Sequence, residues 1–174
     1  LVQACYNIVD SIYISRYSDA ALAAVSYAFP AQNLMIGCAT GIGVGVNSLL
    51  SRSLGEKNYK RANRCAGNGL ILALFGYLIF LVFGLFFAGW FISFQTSTAD
   101  IIECGREYLS VCCVFSFGIF GEILFERLMQ ATGRTLLTMF TQGIGAIVNI
   151  LLDPVFIFGY FGLPAMGAKG AAIA

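Results

Sequence analysis

The 174-residue sequence has no histidine, only three prolines, and charge on just 11% of its residues. Without His, and with Cys5, Cys38, Cys65, Cys104, Cys112 and Cys113 showing no C-x-x-C spacing, no zinc site is expected; the cysteines read as small apolar packing residues. The shortage of charge excludes an ordinary soluble domain, in which roughly a quarter of residues are charged and apolar positions alternate with polar ones. A nucleotide loop is excluded too, since Gly41-Ile42-Gly43-Val44-Gly45 follows no strand pattern and fails G-x-G-x-x-G. Residues 1–15 lack the basic region and small-residue cleavage site of a signal peptide.

What is present is apolar: 59% of residues are hydrophobic and the mean hydropathy is +0.82. Residues 20–50, 62–94, 106–129 and 136–161 each supply the roughly 20 residues a helix needs to cross the hydrocarbon core. Residues 1–15 resemble the second part of another span, too short to cross at a rise of about 1.5 Å per residue, and 165–174 read as a loop and the first turns of a further helix. The expectation is an all-α membrane protein, a polytopic bundle of about five to six transmembrane helices, that has lost its N-terminus and is a fragment of something longer.

The ten basic residues give the orientation. Arg52, Lys57, Lys60, Arg61, Arg64, Arg127 and Arg134 fall on one side, and Arg16, Arg106 and Lys169 on the other. The positive-inside bias places the loops 52–64 and 127–135 in the cytoplasm of a multi-pass plasma-membrane protein.

Two carboxylates, Asp10 and Asp153, lie inside apolar stretches. An ionisable group in lipid is costly and is a functional-site candidate by default. At helical rise Asp10 sits about 9 Å below Arg16 and Asp153 about 13 Å below Gly162, so both belong to the outer half. Tyr6 precedes Asp10 by four residues and Asn149 precedes Asp153 by four, so each pair shares a helix face. This set of hard oxygens suits Na⁺ or a shared proton. Pro154 cannot donate to the carbonyl of Ile150, which introduces a break and frees that oxygen; Pro30 is the second proline expected to interrupt a helix. The competing reading keeps Asp10 and Asp153 as permanently protonated acids in interhelical hydrogen bonds, with Asn149, Tyr6 and Pro154 serving only the backbone and a kink.

Glu122 and Glu126 share a face near the cytoplasmic end of their helix, where they would attract a cationic substrate, relay protons, or pair with Arg64 or another loop base. Gly37, Gly41 and Gly45, at spacings of four, are expected to let helix backbones approach closely. A few of the 16 Phe and 8 Tyr residues would line a cavity for cations.

In this order, Tyr6-Asn7-Ile8-Val9-Asp10, Ala28-Phe29-Pro30, Ser51-Arg52-Ser53-Leu54-Gly55, Gln130-Ala131-Thr132-Gly133 and Asn149-Ile150-Leu151-Leu152-Asp153-Pro154 resemble multidrug and toxic compound extrusion (MATE) transporters. The closing Gly167-Ala168-Lys169-Gly170-Ala171-Ala172-Ile173-Ala174 is similar to that family's entry into its sixth helix. Many members carry Arg where Gln130 stands. The resemblance implies a twelve-helix protein of two six-helix lobes, of which residues 1–174 look like the N-terminal lobe, lacking the C-terminal lobe as partner. It further implies export of amphipathic or cationic drugs against Na⁺ or H⁺. Asp10, Asn149 and Asp153, with Tyr6 close by, match the family's cation site. No cofactor beyond the coupling ion and no nucleic-acid partner are expected; the partners are a small-molecule substrate and membrane lipid.

Three other classes compete. A flippase for lipid-linked oligosaccharide or polysaccharide shares the architecture. An intramembrane aspartyl protease would use the two Asp residues, although Val9 precedes Asp10 and Leu152 precedes Asp153 where such proteases carry Tyr-Asp and Gly-x-Gly-Asp. In a membrane scaffold subunit, neutralising both acids would change only expression.

Overall fold

The computed structural model describes residues 19–158, with the side chains of 19–21, 153–154 and 156–158 left out of the description. All six described elements are helices: α1 (Asp19–Gly55), α2 (Tyr59–Phe86), α3 (Ala88–Ser93), α4 (Ala99–Val114), α5 (Ser116–Ala131) and α6 (Thr135–Phe158).

Helix α1 is the hub. Its buried residues Ala24, Ala28, Ala31, Met35, Ala39, Gly43, Val46, Leu50 and Ser53 recur every three or four positions and form one stripe, the period of a helix with a single core face. Against that stripe pack α2, α4 and α5. Two apolar clusters result. One joins Ala28 and Ala31 to Ile92, Tyr108, Leu109 and Cys113; the other joins Met35, Ala39 and Val46 to Ala73, Phe80, Phe120 and Leu124. Helix α2 offers a complementary stripe, Ala62, Gly69, Ala73, Gly76, Phe80 and Gly84. The backbone at Gly84 lies against the Cys113 side chain so closely that a β-carbon there would overlap it, and its carbonyl accepts from Ser110 Oγ at 2.9 Å.

The glycines that permit close packing are not those expected. Around Gly37, Gly41 and Gly45 a β-carbon would meet nothing within 4 Å among the described residues, whereas at Gly43 it would come 2.9 Å from Arg127 Cγ. The row used for contact is offset because Met35, Ala39 and Val46 decide which side of α1 turns inward.

Among the described residues, three helices are long and apolar enough to cross a bilayer: Leu22–Gly55, Tyr59–Phe86 and Thr135–Leu152. The expected single span over 106–129 is instead the pair α4 and α5, which together pass the same test but are bent by 43°. Ser116 Oγ donates to the Cys113 carbonyl at 2.7 Å, and a hydroxyl that bonds a carbonyl one turn back competes with the helical ladder. The span expected over 62–94 likewise ends at Phe86, followed by the short α3. Gln95, between α3 and α4, donates to the Tyr27 carbonyl at 3.1 Å and ties this corner to α1. Of the five to six spans expected from sequence, the described residues thus hold three, or four with the bent pair counted as one.

Neither proline ends its helix: Pro30 lies inside α1 and Pro154 inside α6. A proline removes one backbone bond, and the surrounding turns continue.

At the end of the bundle carrying residues 52–64, α1 closes in a Schellman motif. Lys57 N donates to the Leu54 carbonyl and Asn58 N to the Ser53 carbonyl, with Lys57 at φ 55°. Asn58 then caps α2, its side chain accepting from Arg61 N at 3.0 Å.

Candidate functional site

Helix α6 packs chiefly on α5, and between them lies a cavity of about 620 Å³. Ile119, Glu122, Glu126 and Met129 of α5 line it at spacings of three, four and three; Gln142, Gly145 and Asn149 of α6 line it at three and four. These are the steps of two facing helix stripes. Gly145 offers no side chain, which leaves room opposite the glutamates. Phe125 and Thr141 complete the wall.

The cavity brings together two sets of residues that sequence reasoning kept apart. Both helices leave the loop at 132–134. At about 1.5 Å per residue, Glu126 lies roughly 7 Å, Glu122 roughly 13 Å and Asn149 roughly 21 Å from it. Two carboxylates and an amide thus form a ladder from the loop toward the membrane interior, against the apolar surfaces of Ile119, Phe125 and Met129. The described lining contains no Lys or Arg.

Glu126 is held by its own helix. Arg127 Nη1 donates to Gln130 Oε1 at 2.8 Å, and Gln130 Nε2 donates to Glu126 Oε1 at 2.7 Å. The Arg127 stem rests on the notch at Gly43 of α1, while its Nε is buried without a hydrogen-bond partner among the described residues. The Gln130 amide therefore relays between a base anchored on α1 and a carboxylate facing the cavity. Pairing of Glu126 with Arg64, one of the sequence alternatives, is not found among the described residues; the ion pairs there are Arg52–Glu56 and Arg61–Glu56.

Of the remaining site residues, Tyr6 and Asp10 lie outside the described residues, as do the side chains of Asp153 and Pro154, although both latter residues belong to α6. Sequence reasoning missed Gln142, Thr141, Phe125 and Met129. The recurrence of 119, 122, 126 and 129, and of 142, 145 and 149, was the available signal. It also missed an interhelical polar contact outside the cavity, in which Gln32 Nε2 of α1 donates to Tyr108 Oη at 3.0 Å and to Cys112 Sγ at 3.3 Å. Among the described residues no group of three or more Cys, Asp or Glu has a metal-binding arrangement.

Comparison with known proteins bears on this arrangement. An FAD transporter of Shewanella oneidensis is 27% identical over 169 residues, covering 97% of this chain and 37% of that protein. A solved structure described as the outward-facing conformation of a multidrug resistance MATE family transporter of the MOP superfamily superposes with TM-score 0.90 at 28% identity, covering 99% of this chain and 37% of that one. One described as the inward-facing conformation gives 0.89 at 28% identity, with 98% and 38% covered. The chain thus spans somewhat over a third of the length of the proteins it matches. The model of the MatE family matches residues 1–155, and the chain belongs to that family.

Proposed function

We propose that this multi-pass membrane chain is the N-terminal lobe of a transporter that exports amphipathic or cationic small molecules in exchange for Na⁺ or H⁺. Family membership supports a transporter rather than an enzyme. The observation that carries the substrate class is the cavity between α5 and α6, where Glu122 and Glu126 supply negative charge beside Phe125 and Met129, with no base in the described lining. Such a wall attracts an organic cation through charge and buries its apolar body. It repels a polyanion, so FAD, the cargo named for one relative, fits it poorly despite the kinship.

The near-equal likeness to an outward-facing and an inward-facing structure supports a lobe that keeps its internal packing while it rocks against a second one. In this reading, loops 52–64 and 127–135 are cytoplasmic, and Asp10, Asn149 and Asp153, with Tyr6 nearby, hold the coupling ion in the outer half. The proposal puts the coupling ion and the substrate in one lobe, so that their occupancies are linked.

The test compares efflux of a cationic dye and a neutral dye by the full-length protein and by Glu122→Gln and Glu126→Gln. The half-saturation concentration for the cation should rise about tenfold or more, as expected for loss of a charged partner, with little change for the neutral dye. Equal effects on both dyes would refute the assignment.

A further inference from the structure

The bases at the α1–α2 corner are not equivalent. Glu56 accepts from Arg52 Nε at 3.0 Å and from Arg61 Nη1 at 3.4 Å, clipping the last turn of α1 to the first turn of α2. Lys57, Lys60 and Arg64 form no ion pair among the described residues. Lys60 and Arg64 stand four residues apart, both exposed, on one face of α2.

Farther along that face come Gly67, Ile71 and Phe75. Among the described residues a β-carbon at Gly67 would meet nothing within 4 Å, and Ile71 and Phe75 are 66% and 62% exposed, so the face is an apolar strip uncovered by them and beginning directly beneath two cations they leave unpaired. Its depth follows from helix length. Counting back from Phe86, the roughly 20 residues that fill a hydrocarbon core of about 30 Å begin near Ala66. Arg64 then stands about 3 Å and Lys60 about 9 Å outside the core at helical rise. That is the headgroup layer, within reach of long basic side chains. The exposed Tyr59, at 66%, sits at the same boundary, where aromatic residues with a polar tip collect.

We propose that this face of α2 is a binding site for an anionic phospholipid, with the phosphate held by Lys60 and Arg64 and an acyl chain lying over Gly67, Ile71 and Phe75. Charge complementarity and the continuity of the cations with a membrane-embedded apolar strip select a lipid over a soluble anion. Juxtamembrane bases attract anionic lipids by an increment equivalent to about fivefold in affinity each.

The test is native mass spectrometry of the full-length protein released from micelles containing equimolar phosphatidylglycerol and phosphatidylcholine of identical acyl chains. The wild type should retain the anionic lipid preferentially, by up to about 25-fold for two bases. Lys60→Gln/Arg64→Gln should bring the ratio near unity, and Lys60→Arg/Arg64→Lys should preserve it. Arg52→Gln/Arg61→Gln removes the same net charge from the arginines that Glu56 engages and should leave most of the preference. A wild type without preference, or equal losses in the two Gln double variants, would overturn the site, the latter by showing a diffuse positive field instead.

Discussion

Lys57 and Gly133 occupy the same place in two copies of one helix ending. Each follows its helix in the left-handed region, at φ 55° and 80°. Each donates its N–H to a carbonyl three residues back, Leu54 and Gln130, and each is followed by a residue donating to the carbonyl five back, Ser53 and Met129. Glycine adopts this conformation freely, while a side chain with a β-carbon is strained there. Lys57→Gly should therefore raise stability by about 1 kcal/mol, and Gly133→Ala should lower it by a similar amount. Thermal melting of the two variants in one detergent checks the opposite signs.

A pair of glycines, Gly84 and Gly41, separates contact from open space. A β-carbon at Gly84 would overlap Cys113, and one at Gly41 would meet nothing within 4 Å among the described residues. Gly84→Ala should destabilise by about 1–3 kcal/mol through overpacking. Gly41→Ala, inside a helix with room around it, should gain about 0.5–1 kcal/mol. Chemical or thermal denaturation distinguishes these outcomes, and destabilisation at Gly41 would mean that something beyond the described residues covers that face.

Two rows on α1 also show where sequence reasoning stops. Gly37, Gly41 and Gly45 share the four-residue spacing of Met35, Ala39 and Gly43, and spacing alone does not say which row turns inward. The inward row is set by apolar volume meeting Phe120, Ile123 and Leu124, residues some 80 positions away. The helical membrane class was legible because hydropathy is a local sum. The bend between α4 and α5 was not, because the hydropathy stays high through the break at Phe115. For the cavity, each wall was written in its own helix as a three-and-four repeat, but the meeting of Glu122 with Asn149 depends on how α5 and α6 fold back on each other across 132–134.

Gln130 links a base to an acid through a single amide. Gln130→Leu leaves both Arg127 and Glu126 without that partner in a partly buried setting and should destabilise by about 1–3 kcal/mol. Gln130→Glu should place a second carboxylate beside Glu126 while satisfying Arg127. Comparing the cationic-dye half-saturation of these two variants with the wild type reveals whether the relay acts on Glu126: Gln130→Leu should weaken cation affinity, and Gln130→Glu, which also loses the amide but adds a carboxylate, should not.

The central claim, transport coupled to a cation, is tested most directly by efflux of a fluorescent cationic dye from cells carrying the full-length protein, with Na⁺ and pH gradients imposed separately, for wild type and Asp153→Asn. The account predicts gradient-driven efflux in the wild type, abolished by the substitution, with the effective gradient identifying the ion. Efflux that survives Asp153→Asn with its ion dependence intact would contradict it.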